Sequence, residues 1–334
     1  MIGTIRGRLR SLIARDIFCK LWRKAFLVDR IVVLMYHEVL RDDQDIEAWT
    51  VVKENAFRGQ MEYLRREFQI IGLHDALEVF RSPSDNKERY AVVTFDDGYA
   101  GNLYHALPVI ESMGIPATIF VATQAIAEQK VHWFDDVIVL LQSITPRTMR
   151  MSREKGKLEL EMVRQTMQGE MRWNSIETVL SALKRLEPEQ REATLRTIFE
   201  KWGRPAPERT LLRPMSIAEL KEISRSPYIT IGAHSHGHEL LDQLPPEQIR
   251  ETLETSRELL EEWTGRKPEL FSYPNGNYNA DVIRAVQEAG FICACITQDI
   301  PWAGSQSPFL IPRIGIGRYD SIEAFKLKVS GIPV

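Results

Sequence analysis

Apolar runs alternate with amphipathic stretches over much of the chain. RIVVLMYHEV has the pattern of a buried strand, and AFRGQMEYLRREF after it has the spacing of an amphipathic helix. The strand YAVVTFDDG is followed by the helix GNLYHALPVIESMG, which we expect to end at Gly114. Strands that alternate with helices in this way pair in parallel under a cover of helices. We therefore predict an α/β fold, either a doubly wound sheet or a barrel.

The alternation is interrupted in the middle of the chain. Between Ala125 and Pro214 the pattern is mainly helical and ends in the Pro- and Arg-rich run GRPAPERTLLRP. The strand and helix alternation then resumes with PYITIGAHSHGH. We predict a first part of the body over residues 31–124, a mostly helical insertion over residues 125–212 and a second part over residues 213–334.

Two of the predicted strands end in clusters of ionisable side chains. Asp96 and Asp97 follow one strand, and His234, His236 and His238 follow a later one. Parallel α/β folds place their chemistry at the carboxyl ends of the strands. Two imidazoles and a carboxylate make a three-ligand metal site with positions left open for water and substrate. The second carboxylate would stay ionised beside the cation and could take a proton from the activated water.

The spacing of the histidines leaves two arrangements open. In an extended strand all three imidazoles share one face, whereas in a turn that enters a helix His234 and His238 converge and His236 points elsewhere. The alternative to a metal site is two unrelated polar strand ends, each satisfied by its own neighbours. Five ionisable groups at two strand ends favour the metal site.

The residues at these strand ends resemble the motifs of a known family. TFDDG and HSHGH, in this order and each after a strand, are similar to the first two motifs of the polysaccharide deacetylases, the NodB-homology or carbohydrate esterase family 4 proteins. The resemblance implies a distorted (β/α) barrel that removes an N-acetyl group from a sugar with a divalent metal. It also implies that Asp97, His234 and His238 hold the metal and that Asp96 is the general base.

FSYPNG, at residues 271–276, resembles the third motif of the family. We expect Asn275 and Tyr273 to contact the substrate, with the backbone N–H of Asn275, after the motif's proline, helping to hold the oxyanion. Asn replaces the aromatic residue that is common at this position, and a backbone donor tolerates that change.

The sequence departs from the family pattern in two places. Many members have an Arg where Ser272 stands, and many supply the acid from a C-terminal L-x-H, whereas FLIPRIGIGRYD contains no His. VLMYHEV resembles the permuted branch, typified by exopolysaccharide poly-N-acetylglucosamine deacetylases, in which a Y-H at this place is the acid. A barrel brings its first and last strands together, so we predict His37 as the acid and Arg313 in place of the lost Arg. The alternative for His37 is a structural histidine.

Charge is distributed unevenly along the chain. The net charge of −3 argues against a protein built to coat nucleic acid. Residues 1–30 carry six Arg and two Lys against two Asp, a net charge of +6, with apolar residues at helical spacing. Such a helix suits an anionic membrane surface, and the same helix could instead pack on the body with its cations in water.

The location of the protein is inferred from what the sequence lacks. No run approaches the roughly 18 apolar residues of a spanning helix, and the N-terminus has no secretory signal pattern. Cys19, Cys293 and Cys295 cannot form a disulfide framework. We therefore expect a cytoplasmic protein, with peripheral binding at the inner face of the membrane if the basic helix acts as an anchor.

The predicted activity is metal-dependent hydrolysis of the N-acetyl group of a sugar in a polysaccharide, an oligosaccharide or a glycolipid precursor. Zinc is the default ion for two imidazoles and a carboxylate, and cobalt, nickel, manganese or iron(II) would also fit. The alternatives are a deformylase or other amidase that acts on a lipid-linked sugar, and a catalytically silent barrel that only binds glycan.

Overall fold

The computed structural model describes residues 16–27, 29–81, 88–143, 147–154, 157–164, 170–205 and 211–332 of the 334-residue chain. The strands in the described ranges are β1 Arg30–Tyr36, β2 Glu38–Leu40, β3 Val51–Lys53, β4 Gln69–Ile70, β5 Tyr90–Phe95, β6 Ala117–Val121, β7 Arg147–Glu154, β8 Lys157–Arg164, β9 Ile229–Ala233, β10 Leu270–Ser272, β11 Cys293–Thr297, β12 Trp302–Ala303 and β13 Ile311–Gly315.

Helices cover the outside of the strands. They are α1 Asp16–Phe26, α2 Glu54–Glu67, α3 Leu73–Arg81, α4 Leu107–Met113, α5 Thr123–Glu128, α6 Trp133–Ser143, α7 Glu170–Lys184, α8 Pro188–Trp202, α9 Ile217–Ile223, α10 Pro246–Thr264, α11 Ala280–Glu288 and α12 Ile322–Lys328. A π-helical turn, Asn102–Ala106, leads into α4, which ends at Gly114 as predicted, because this glycine adopts the left-handed conformation with φ 65°. Short 3₁₀ helices follow two of the late strands, at Leu241–Gln243 and Pro274–Gly276.

Seven parallel strands close into a barrel. Their order is β1, β13, β11, β10, β9, β6 and β5, and β5 pairs again with β1. At the closure Ile31 lies beside Tyr90 and Tyr36 lies beside Phe95. The predicted (β/α) barrel is therefore confirmed, and the carboxyl ends of all seven strands face the same side.

The barrel interior and the layer under the helices are separate apolar clusters. Side chains alternate between the two faces of a strand, so Val92 of β5 packs inside the barrel while Val93 packs under the helices. Phe120 of β6 fills part of the interior opposite Gly232 of β9. A Cβ at Gly232 would lie 2.5 Å from the Phe120 ring, so only glycine fits there.

The segment between β6 and β9 contains α5 to α9 and an antiparallel hairpin of β7 and β8. The helices match the predicted pattern, but the hairpin was not predicted. Helices α6, α7 and α8 share an apolar cluster with the connection between β2 and β3, in which Ile46 and Ala48 lie with Val137, Ile176 and Ile198. The segment therefore packs directly on the body of the barrel.

The described part of the basic N-terminal segment, α1, packs on the body through one face. Its Arg23 is buried and donates to Glu67 at 2.6 Å, to Tyr63 at 2.7 Å and to Ser330 at 3.0 Å. Phe18 and Leu21 are 41% and 63% exposed. Residues 1–15 of the predicted helix lie outside the described residues. None of the helices in the described ranges is both long and apolar enough to cross a membrane.

Candidate active site

Asp96 and Asp97 follow β5 and differ in backbone conformation. Asp96 continues the strand, and its N–H donates to the carbonyl of Tyr36 at 2.9 Å. Asp97 and Gly98 then adopt left-handed conformations, with φ 73° and 72°. This turn gives the two neighbouring carboxylates different surroundings although they are adjacent in sequence.

Asp97, His234 and His238 form a cluster whose possible ligand atoms all lie within 4.8 Å of one another. Asp97 Oδ1 lies 3.6 Å from His234 Nε2 and 3.3 Å from His238 Nε2. His234 Nδ1 lies 2.7 Å from the carbonyl oxygen of Ser272. Because a carbonyl only accepts, Nδ1 carries the proton and Nε2 presents its lone pair to the cluster.

The cluster fits a divalent cation. Asp97 Oδ1 is buried and has no hydrogen-bond partner in the described part of the chain, which is costly unless a cation binds it. With protein groups alone, burial and the neighbouring Asp96 raise the pKa of Asp97 to about 8. Burial also lowers the pKa of His234 and His238, so both imidazoles are neutral and able to bind metal.

The histidines do not converge through a helical turn. The chain from His234 to His238 is a loop in which Ser235 and His238 have φ 59° and 56°. The middle histidine of the motif, His236, points away from the cluster, and its Nδ1 lies 2.8 Å from the hydroxyl of Thr123.

Asp96 is held by a buried guanidinium. Arg313 of β13 donates from Nη1 to Asp96 Oδ1 at 2.7 Å and from Nη2 to Oδ2 at 2.6 Å. The same guanidinium donates to the hydroxyls of Thr94 and Ser272 at 3.1 and 2.8 Å. Burial raises the pKa of Asp96, but Arg313 and His234 outweigh it and bring the pKa to about 2. Asp96 is therefore ionised at neutral pH.

Thr94 and Ser272 belong to the site through their hydroxyls, a role that the sequence motifs did not indicate. Both side chains point into the barrel, where the alternation of β5 and β10 places them next to Arg313. The indication in the sequence was Ser272, a small hydroxyl residue at a position where many family members have an Arg.

His37 lies at the end of β1, between β5 and β13. Its neighbour Tyr36 pairs with Phe95, so His37 is placed at the same edge of the barrel as Asp96. Its Nδ1 is buried and has no hydrogen-bond partner among the described residues, and its ring packs edge-on against Trp49 at 5.8 Å. Burial lowers its pKa to about 4, while Asp96 acts to raise it and Arg313 to lower it. The imidazole is neutral at pH 7.

Asn275 and Tyr273 differ in their suitability for the predicted oxyanion contacts. Asn275 is exposed and has a left-handed backbone with φ 57°. The N–H of Tyr273 donates to the carbonyl of Cys295 at 3.1 Å, and its side chain is buried against Phe271 under the helices. The prediction for Tyr273 does not fit this geometry, because strand alternation places Ser272 inside the barrel and Tyr273 outside.

The segment between β6 and β9 forms one wall of the site. The ring of Phe134 lies 5.2 Å from that of His238, and His132 lies 5.4 Å from it and stacks on Phe134. Asp135 accepts a hydrogen bond from the hydroxyl of Tyr99 at 2.7 Å. This segment therefore contributes side chains next to a metal-ligand candidate.

A comparison with protein families decides the assignment. The family model described as polysaccharide deacetylase matches residues 84–167 and 177–294, more than half of the chain. The chain belongs to the polysaccharide deacetylase family. It is accordingly a hydrolase that acts on carbon–nitrogen bonds of the amide type. The matched ranges include the strand ends with both acidic and histidine motifs and much of the segment predicted as an insertion.

Relatives of known name lie at low sequence identity. YxkH of Bacillus subtilis (strain 168), which is named for the same family, is 19% identical over 305 residues that cover 91% of this chain and 77% of YxkH. The structure of the deacetylase PplD of Streptococcus pyogenes in complex with acetate has a TM-score of 0.59 at 13% identity and covers 92% of this chain and 100% of PplD. IcaB of Ammonifex degensii has a TM-score of 0.56 at 17% identity and covers 90% of this chain and 97% of IcaB. The two structures share the fold of this deacetylase.

Proposed function

We propose that the protein is a metal-dependent N-deacetylase that removes the acetyl group from an N-acetylated sugar in a polysaccharide, an oligosaccharide or a glycolipid precursor. The observation that carries the proposal is the pair of adjacent carboxylates with separate surroundings. Asp97 faces two neutral imidazoles with an oxygen that has no other partner among the described residues, and Asp96 is kept ionised by Arg313.

Asp97, His234 and His238 would hold the metal, with zinc as the default ion. When bound, a divalent cation supplies Lewis-acid polarisation of the amide carbonyl and acidifies water. Asp96 takes the proton of the attacking water, and Arg313 keeps Asp96 oriented and ionised. The backbone N–H of Asn275 donates to the negative charge that develops on the carbonyl oxygen.

His37 is the proposed acid for the leaving amine. Support comes from its position between β5 and β13 and from the buried Nδ1 without a partner in the described ranges. Its imidazole must gain a proton before it can donate one. Negative charge that develops on the reacting amide would raise the pKa of His37 from about 4 and make that gain easier.

The test is acetate release from N-acetylglucosamine oligomers by metal-stripped protein resupplied with zinc, cobalt, nickel, manganese or iron(II). We expect release that depends on the metal and is lost in Asp96→Asn. Formate release from an N-formyl sugar without acetate release would favour the deformylase alternative. Stoichiometric metal binding with no turnover of either substrate would favour a barrel that only binds glycan.

We also propose a cytoplasmic protein that binds the inner membrane surface through residues 1–30. The basic charge of this segment and the exposed Phe18 and Leu21 support membrane binding. Removal of the whole segment would be a poor test, because Arg23 and Cys19 are buried in the body.

A sharper test of membrane binding is Phe18→Ser with Leu21→Ser, beside the control Ile322→Ser, which changes an exposed apolar residue on α12. We expect the double variant to lose binding to anionic phospholipid vesicles in low salt and the control to keep it. Equal vesicle binding by both variants would contradict the proposal.

A further inference from the structure

Five polar residues form a closed ring at the edge of the site. Lys184 Nζ donates to Asn275 Oδ1 at 2.7 Å, Asn275 Nδ2 donates to Asn277 Oδ1 at 2.7 Å, and Asn277 Nδ2 donates to Asp242 Oδ2 at 2.9 Å. Gln243, next in the chain after Asp242, closes the ring by donating from Nε2 to the carbonyl of Lys184 at 3.3 Å. We call these five residues the rim ring.

The rim ring joins three separate segments. Lys184 ends α7 in the segment between β6 and β9, and Asp242 and Gln243 follow the histidine motif. Asn275 belongs to the third motif, and Asn277 follows it directly. Leu183 and Leu186, which flank Lys184, are buried in the apolar cluster of the helical segment. The backbone at Lys184 is therefore fixed from one side by packing and from the other by Gln243.

Asn275 is the member of the ring that needs support from outside its own loop. Its side chain is exposed, and its left-handed backbone leads into Gly276, which packs against the backbone of Thr297. Both ends of its side-chain amide are engaged, since Oδ1 accepts from Lys184 and Nδ2 donates to Asn277. A hydrogen bond from an ammonium is stronger than one between neutral groups. The bond from Lys184 is therefore the stronger of the two that the Asn275 side chain makes.

Asn275 is the side-chain partner of the Lys184 ammonium among the described residues. None of the carboxylates in the described residues forms an ion pair with it, and the nearest one in the ring, Asp242, is reached only through Asn275 and Asn277. The Lys184 ammonium therefore acts on Asn275 without competition from an ion pair in the described residues.

We propose that Lys184 is a positioning residue that fixes Asn275, and that the helical segment is in this way a working part of the active site. The inference rests on the proposed function, in which the backbone N–H of Asn275 stabilises the oxyanion. A donor that is misplaced by a fraction of an ångström loses part of its effect in the transition state while substrate binding is retained.

The kinetic test is a double-mutant cycle on the zinc-loaded full chain. We expect Lys184→Met and Asn275→Gly each to lower kcat for acetate release by roughly 10-fold, with KM changed by less than about 2-fold. Glycine keeps the left-handed backbone and the N–H of residue 275 while removing the amide side chain. The double variant should be no slower than either single variant, because both substitutions remove the same hydrogen bond. Lys184→Arg, which keeps a charged donor, should recover most of the rate.

Arg185→Met is the matched control. Arg185 is the neighbouring, exposed cation, and its loss removes the same charge without touching Asn275. We expect its kcat to stay within about 2-fold of the wild type. Additive losses in the cycle, or a higher KM with unchanged kcat in Lys184→Met, would overturn the proposal, since the latter result would assign Lys184 to binding an anionic group of the substrate.

A second readout does not depend on turnover. Amide hydrogen exchange of the peptide that spans residues 270–280 should be faster in Lys184→Met and Asn275→Gly than in the wild type, and unchanged in Arg185→Met. Unchanged exchange in Lys184→Met would overturn the proposal. If the wild type released no acetate with any metal, the proposed function would fail, while the exchange measurement would still decide whether Lys184 fixes Asn275.

Discussion

Asp96 and Asp97 are neighbours in sequence, yet the barrel gives them opposite environments. Asp96 accepts two hydrogen bonds from buried Arg313, and its pKa is about 2. Asp97 faces two neutral imidazoles across a left-handed turn, and with protein groups alone its pKa is about 8. One carboxylate is matched to a guanidinium and the other to a cation that the site can bind. Two carboxylates can therefore follow one strand, because the guanidinium offsets the charge of one and a bound cation would offset the charge of the other.

Loss of a ligand in the Asp97 cluster should have the largest effect on metal binding. Asp97→Asn and His234→Ala should each weaken zinc binding on the order of 10³-fold, because each removes one of three ligands. Zinc affinity measured by competition with a chelator checks this. The control is His236→Ala, in the same motif, whose imidazole contacts Thr123 and should leave the affinity within about 3-fold. Equal losses in His236→Ala would contradict the assigned cluster.

The next effect concerns the acid that serves the leaving amine. His37→Gln should lower kcat by about 10²-fold, the lower end of the range for general acid–base groups, with zinc affinity unchanged. Steady-state acetate release and zinc titration of the same preparation measure both quantities. Near-normal turnover with zinc bound would make His37 a structural residue.

Much of this arrangement could be predicted from the sequence. Alternating strands and helices predicted an α/β fold, and the resemblance of the strand-end motifs to the family implied a barrel. The acidic and histidine pairs at two strand ends predicted the cluster, because parallel strands bring their carboxyl ends to one edge. Arg313 could be proposed only as the one candidate for a missing Arg. Its two hydrogen bonds to Asp96 required the register of β13 beside β1 and β11.

Other features depended on contacts that the sequence does not encode locally. The left-handed residues Ser235 and His238 form a loop in place of the two arrangements that the spacing left open, an extended strand and a helical turn. Tyr273 faces the helices because strand alternation is set by the whole of β10, not by a motif. Lys184 reaches Asn275, which is 91 residues away in sequence, and no pattern around either residue indicates this contact.

A third prediction concerns the contribution of the buried pair of Asp96 and Arg313 to the free energy of unfolding. Arg313→Met leaves Asp96 buried without its guanidinium, and we expect a loss of about 3–5 kcal/mol in the free energy of unfolding. Urea denaturation at pH 7 measures it. Arg318→Met is the control, since Arg318 pairs with exposed Asp45 and its loss should cost about 1 kcal/mol or less. Similar losses in the two variants would mean that the buried pair stabilises the fold no more than the exposed pair does.

The affinity for zinc should also depend on pH, through the protonation of Asp97. Because the pKa of Asp97 with protein groups alone is about 8, a cation must displace a proton from it below that pH. The imidazoles of His234 and His238 have lowered pKa values and are already neutral. Zinc affinity should therefore rise about 10-fold per pH unit between pH 6 and 8 and then level off. Affinity that does not change over this range would show that Asp97 is ionised before metal binds.

The separation of roles between the two carboxylates is tested most directly by Asp96→Asn, with bound zinc and acetate release measured on the same preparation. We expect one zinc per chain at an affinity close to that of the wild type and turnover reduced by about 10³- to 10⁴-fold. Turnover that persists, or zinc binding lost as fully as in Asp97→Asn, would contradict the assignment of Asp96 as the base beside a metal held by Asp97.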